Sequence, residues 1–434
     1  MRLTRLDSAE VARLGGPAGA AARLRELVPA GESVAEQVRR IVEDVRTGGD
    51  AAVTSYTARF DTSGEQPAPL LVSPEELDAA ITRLPRELIA GLQVAIANLA
   101  LVAEAGIDSE ARVELPQGHT VLLREVPVSS AAVYVPGGRA PYPSTVVMGV
   151  VTARSAGVLD VVVAAPPGPG GEIDPTILGT CRLCGVERVY RMGGAQAIAA
   201  LAHGTETVGR VDVIVGPGNL YVQEAKHQLS AIVGIDGFAG PSDLVVVISE
   251  TSPSAAALAA IDMLAQAEHG EGSIVVGVAT SAEICEQLQR RLEQDVLQRP
   301  TVGEAEFAVV TVGGAREAVE LANAFAPEHL QLIGAEVEAL APIVRSAGAL
   351  FVGAASATAF GDYVAGSNHV LPTAGAARFA STLSPRTFRR RMSEVRIGPG
   401  AARLAGAGAP VARAEGFEVH AQSMEARIVE NHGT

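Results

Sequence analysis

Hydrophobic positions along this chain keep helical spacing over the first third and then switch back and forth between helical and extended periods. Residues 1–30 read as a short leader with a Gly/Ala-rich break near 15–22. Ser33 and Glu36 have capping-box spacing for a helix to about Val45, and Ser73-Pro74-Glu75-Glu76 repeats it with proline at the first helical position. Residues 88–104 carry the period of a long amphipathic helix. Short β-branched runs follow at 121–126, 131–135, 160–164, 186–190 and 212–215, separated by helical stretches at 144–156, 175–184 and 195–203 and followed by another at 219–230. A second series places strands at 244–248, 273–278, 307–312, 330–333 and 349–352, with helices at 253–269, 281–294, 315–325 and 336–346.

Strands that alternate with helices indicate parallel sheets. The expected fold is α/β, with two incomplete Rossmann-like parallel-sheet domains plus small N-terminal and C-terminal helical segments. The expected division is a 1–30 arm, a large domain of 31–130 with 244–383, a second domain at 131–243, and a 384–434 tail. That tail reads as helical and basic, with a flexible Gly/Ala stretch at 398–410. It is too short for a core of its own, so it is expected to pack on another domain or another subunit.

The length of 434 residues suits about three domains. A net charge of −15 argues against nucleic acid or an anionic membrane as a general partner. The basic run 386–391 reads as a solvated helix face. Residues 1–14 lack the apolar core of a signal peptide, and no segment has about 18 unbroken apolar residues. The protein is therefore expected in the cytoplasm. Three cysteines give no disulfide framework, and Cys181-Arg182-Leu183-Cys184 lies in an apolar helical pattern with no second pair to complete a zinc site.

Candidate chemistry gathers late in the chain, where five of the eight histidines lie from 269 onward. Gln266 and His269 stand at i, i+3 on one helix face. With Asp362 and His420 they make a set of imidazoles and oxygen donors, which suits zinc better than magnesium or calcium. Taken alone, the Gln266–His269 pair is a weak signal, and a satisfied core histidine is the stronger reading of His269. Glu328-His329 follows an apolar helix end, where desolvation would lift a glutamate toward the pKa of a general base; the alternative is an exposed pair on a loop. His369 reads as a substrate contact or as a turn histidine. Glycine turns stand at 136–139, 193–196 and 216–219, and the last two follow strands and open helices, where the backbone can meet phosphate at a helix N-terminus. None completes G-x-G-x-x-G, because Tyr221 holds the third glycine position, so ordinary tight turns explain them too.

Several ordered segments resemble one known family: Tyr134-Val135-Pro136-Gly137-Gly138, Ala140-Pro141-Tyr142-Pro143-Ser144, Gly193-Gly194-Ala195-Gln196-Ala197, Gly216-Pro217-Gly218-Asn219, Ala239-Gly240-Pro241-Ser242, Gln266-Ala267-Glu268-His269, Ala326-Pro327-Glu328-His329-Leu330 and the run 361–373. The chain resembles histidinol dehydrogenase over nearly its whole length. The resemblance implies an NAD-dependent, zinc-containing enzyme that takes L-histidinol through L-histidinal to L-histidine in the last two steps of histidine biosynthesis. It implies one zinc per subunit on Gln266, His269, Asp362 and His420, catalysis by Glu328 and His329, and NAD contacts from Tyr134, Gln196 and Asn219. Substrate contacts would be Ser242, Gln266, His269, His329, Asp362, Glu415 and His420. It further implies an intertwined homodimer with shared active sites, the tail crossing to the partner. The rival expectations are a related dehydrogenase for another small alcohol, a zinc hydrolase with Glu328 as base, and a metal- or imidazole-binding protein without turnover.

Overall fold

The computed structural model describes residues 2–28, 33–137, 140–237, 240–270, 272–299, 302 and 304–428. Its strands run in chain order as β1 (Arg2–Leu6), β2 (Ala111–Glu114), β3 (Thr120–Pro127), β4 (Ser130–Tyr134), β5 (Asp160–Ala165), β6 (Val189–Arg191), β7 (Val213–Val215), β8 (Gly234–Ile235), β9 (Asp243–Ile248), β10 (Ile274–Ala279), β11 (Glu306–Thr311), β12 (His329–Ile333), β13 (Ala349–Val352) and β14 (Arg389–Arg396). They form three sheets of order β1-β11-β10-β9-β12-β13, β6-β5-β4-β7-β8 and β14-β3-β2. The first two are parallel throughout.

Burial on both faces explains why their central strands read as continuous apolar runs. Every residue of β9 and β10 is buried. Val245, Val247, Val276 and Val278 face one core, and Leu244, Val246, Val275 and Ile248 face another. The expected α/β class with two parallel sheets is the fold observed.

The chain divides into two compact units, Met1–Ala105 with Ser129–Phe388, and Gly106–Val128 with Arg389–Thr434. Both parallel sheets lie in the first. The second holds the antiparallel sheet and the helices Ala401–Ala414 and Glu418–Glu425.

Several local expectations change. The leader packs into the large sheet: β1 extends the six-stranded sheet beside β11, and Leu6, Val11, Ala20, Ala21 and Leu24 are buried in its core. The Gly/Ala-rich break is the helix Pro17–Arg25. The capping box at Ser73 and Glu76 forms, whereas the one at Ser33 and Glu36 does not, because Glu36 bonds Arg39 and Arg40 instead. The helix expected at 336–346 shrinks to Ala335–Glu338 and a short turn holding Pro342, which cannot donate to a helix interior.

In the second unit, the basic run enters strand β14, not a helix. Arg391 faces Glu125 directly across the ladder and pairs with it at 2.6 Å. The stretch expected to be flexible is helical, its alanines packing on Ala421 while Arg413 pairs with Glu418 and Glu425. Cys181 and Cys184 are buried with burial-raised thiol pKa values, that of Cys184 at about 12, and so have no nucleophilic character near neutrality. The helix Arg86–Ala105 is long and apolar enough, by length and composition, to cross a membrane. Asn98 interrupts its run and donates to Val364 O at 2.8 Å.

Candidate active site

Two strand beginnings place the acid–imidazole pair. β9 and β12 are neighbours in parallel register, with His329 opposite Leu244, so Glu328 stands beside Asp243 at the head of both strands. The chain reaches that point through a sharp reversal. Helix Ala315–Phe325 ends at Ala326 in the left-handed region, φ +53°, and Pro327 follows. Arg25 holds the reversal closed: its guanidinium donates to Phe325 O and Ala326 O, lies over the Phe325 ring at 3.6 Å, and reaches Asp243 Oδ2 at 2.6 Å.

Asp243 is fully buried, and it accepts from the Glu328 and Ala374 amides. Glu328 Oε2 in turn accepts from Ser242 Oγ at 2.5 Å and from the Asp243 amide at 3.1 Å. Gln266, from the end of helix Pro253–Ala267, donates its amide to Ser242 Oγ. A continuous line of bonds therefore joins Gln266, Ser242 and Glu328.

His329 is buried beside this line. Its Nε2 lies 3.2 Å from Asp362 Oδ1, its Nδ1 lies 3.8 Å from Glu328 Oε2, and its ring stacks near Phe351. The alternative of an exposed Glu-His pair is overturned, since Glu328 is 7% and His329 2% exposed. Burial raises the Glu328 pKa, which the buried Asp243 charge reinforces and His329 partly offsets. Burial alone would lower His329, but the Glu328 and Asp362 carboxylates outweigh it and the net shift is upward. Asp362 shifts down, because His329 overcomes the effect of its burial.

His369 lies in the same electrostatic neighbourhood and is held at about 4 by burial, so it stays neutral. Its buried Nε2 has no hydrogen-bond partner among the described residues. The adjoining Asn368 is buried and donates to Met148 O and Thr152 Oγ1 on helix Pro143–Ser155, which ties this loop to the five-stranded sheet.

Among the described residues, no three His, Cys, Asp or Glu side chains stand close enough to hold a metal ion. The donor chemistry still fits part of a zinc shell. His269 is exposed, and its Nδ1 sits 3.0 Å from Gln266 O, leaving Nε2 as the available nitrogen. Gln266 bonds through its amide nitrogen, leaving Oε1, and Asp362 keeps Oδ2 beside the oxygen that meets His329. Glu415 and His420 belong to the other compact unit, where both are exposed and the His420 ring stands 5.1 Å from that of Phe417.

The five-stranded sheet builds a separate cavity of about 520 Å³. Tyr134, Gly194, Gln196 and Asn219 line it, together with Asp61 and a proline-rich loop at 166–169. These sheet residues follow the carboxyl ends of β4, β5, β6 and β7. The sheet order reverses between β4 and β7, and such a switch point is where open α/β sheets bind ligands.

The 216–219 turn is tightly fixed. Gly216 has φ +117°, and a Cβ there would meet Tyr134 O at 2.1 Å. The buried pair Lys226–Asp236 grips both its carbonyl and its amide. Asn219 caps helix Leu220–Leu229 through Oδ1, and Tyr134 accepts the Gly194 amide, its hydroxyl pushed by burial to about 12. Gly138, Arg139 and Ala239, which belong to the glycine turns and motifs of the sequence, lie outside the described residues.

Sequence reasoning missed Arg25, Asp61 and Asp243. Only Asp243 left a local signal, as a lone charge heading the apolar run Leu244-Val245-Val246-Val247-Ile248.

The family model for histidinol dehydrogenase matches residues 28–428. Histidinol dehydrogenase of Rhizobium meliloti (strain 1021) is 41% identical over 405 residues, covering 92% of each chain. That of Gluconobacter oxydans (strain 621H) is 40% identical over 407 residues, covering 92% of this chain and 94% of the relative. The crystal structure of histidinol dehydrogenase from Elizabethkingia anophelis superposes with a TM-score of 0.91 at 30% identity, covering 99% of both chains. A buried acid–imidazole pair on one parallel sheet, a switch-point cavity on the other and likeness over nearly the full length lead to one conclusion: the chain is an oxidoreductase that belongs to the histidinol dehydrogenase family.

Proposed function

We propose that the protein oxidises L-histidinol through L-histidinal to L-histidine with NAD⁺, as a zinc-containing cytoplasmic homodimer. The observation that carries this reading is the buried Glu328–His329 pair, bonded on one side to Ser242 and Gln266 and on the other to Asp362. Gln266, His269 and Asp362 would hold zinc with His420 of the 384–434 tail, which we assign to the partner subunit together with Glu415. Tyr134, Gln196 and Asn219 would contact NAD in the switch-point cavity. Bound zinc would hold the imidazole and amine of the substrate, and NAD⁺ would take up hydride in each oxidation. Fixing the reactant in this way accounts for at most about 7–11 kcal/mol of barrier lowering.

In the first oxidation His329 accepts the hydroxyl proton. The carboxylates of Asp362 and Glu328 stabilise the imidazolium that results. The second oxidation requires water to add to the aldehyde. Glu328 is the base for that water, because burial raises its pKa while Ser242 and the Asp243 amide stabilise the ionised form. As the water adds, the His329 imidazolium returns its proton to the carbonyl oxygen, and the neutral imidazole then accepts a hydroxyl proton of the hydrated aldehyde as the second hydride leaves. A thiohemiacetal is not needed, and all three cysteines are buried.

The test is NADH formation across a panel of amino alcohols. This reading requires L-histidinol to be preferred with two NADH formed per molecule. Preference for another alcohol, hydrolysis without NADH, or binding without turnover would each replace it.

A further inference from the structure

The switch-point cavity has one feature that the proposed NAD contacts leave unused. Asp61 reaches its wall from outside the sheet, as the residue that ends helix Ala35–Phe60. It is half-buried, and burial lifts its carboxyl to about 6. The nearest cation in sequence, Arg59, lies over the Phe60 ring at 5.1 Å. No Lys, Arg or His is among the described residues that line the cavity. Among the described residues, Asp61 has one weak side-chain contact there, from Gln196 Nε2 at 3.5 Å, and the buried Gln196 Oε1 has no partner.

The Asp61 carboxylate lines the cavity with two acceptor oxygens short of donors, whereas Gln196 Oε1 is itself closed off by burial. Leaving them so is costly in a partly dry cavity. A vicinal diol supplies two O–H donors and no charge. A phosphate supplies only acceptors and a negative charge, which a desolvated carboxylate repels. The anionic end of a dinucleotide has another place to go: helix Gly194–His203 begins on the same wall with no side-chain cap, and the amides that follow Gly194, whose own N–H goes to the Tyr134 hydroxyl, can meet an anion. In Rossmann folds an acidic residue at the end of a strand performs the same recognition of the ribose.

We infer that Asp61 is a specificity residue of this cavity: it accepts hydrogen bonds from a ribose diol of the dinucleotide and excludes the 2′-phosphorylated form. The inference rests on the NAD reading of the cavity. Titrations of NADH and NADPH into the full-length enzyme test it, followed by the fluorescence of the dinucleotides, since the chain has no tryptophan. Asp61→Asn and Asp61→Ser are compared with the parent, each checked for native circular dichroism and elution volume.

The expected result is a parent that prefers NADH, and a preference reduced on the order of tenfold or more in both variants through tighter NADPH binding. An unchanged ratio in the folded variants overturns the role of Asp61. Asn219→Ala separates the two readings. If it fails to weaken NADH binding, the cavity is not the dinucleotide site and both readings fall. If it weakens binding while the Asp61 variants keep the parental ratio, only the Asp61 inference falls.

Discussion

Ser242 Oγ lies 2.5 Å from Glu328 Oε2 and also accepts the amide of Gln266, so one hydroxyl joins the proposed base to a proposed metal ligand. Ser242→Ala removes both connections without changing the backbone. A buried carboxylate that loses one charge-assisted bond loses about 1.5–3 kcal/mol. The second oxidation should slow by about ten- to a hundredfold, and zinc should exchange faster as Gln266 loses its anchor. Steady-state rates from histidinal and zinc release to a chelator measure the two effects separately. Loss of rate with unchanged zinc release would break the proposed link to Gln266.

Glu328 and His329 have different tasks in the proposed mechanism, and one substitution separates them. Glu328→Gln keeps the shape and the Ser242 contact but removes the base. Oxidation of histidinal should fall on the order of a hundredfold or more, while oxidation of histidinol should fall much less. Assays started from each compound give the comparison. Equal losses in the two would refute the division of labour.

How much of this was legible in the chain depends on the range of the interaction. The parallel sheets were readable because buried strands such as Leu244-Val245-Val246-Val247-Ile248 declare themselves locally. The capping box at Ser73 was readable because its partner is three residues away. Arg25 could not be found this way, since its role depends on contacts with Asp243 and Phe325 some 200 to 300 residues later. β14 was misread as helix because its pairing with β3 and its Arg391–Glu125 contact come from tertiary structure and outweigh local propensity.

The Arg25–Asp243 pair should tune Glu328 electrostatically. Asp243 is fully buried and its charge helps to raise the Glu328 pKa. Glu328 acts as a base only when ionised, so activity is lost as pH falls through that raised value. Arg25→Ala leaves Asp243 unneutralised, which should raise Glu328 further and move the acid limb of histidinal oxidation to higher pH. Asp243→Asn removes the negative charge and should move the limb to lower pH. Shifts in the same direction would exclude the electrostatic account. Arg25→Ala should also destabilise the fold by about 2–3 kcal/mol in urea, less than a fully buried pair because Asp243 keeps two backbone donors.

The proposed sharing of the active site between subunits has a test that needs no structure of the dimer. Asp362→Asn and His420→Asn each damage every site of a homodimer made from one variant alone. Suppose His420 serves the partner's site. A heterodimer of the two variants then combines both lesions in one site and leaves the other whole. Random exchange of equal amounts puts half the molecules in heterodimers, so activity should return to about a quarter of the parental value. Two tags of different mass on the variants, resolved by native mass spectrometry, establish that exchange has occurred. With exchange demonstrated, no recovery would mean that Asp362 and His420 serve the same site from one chain, and the crossing tail would have to be given up.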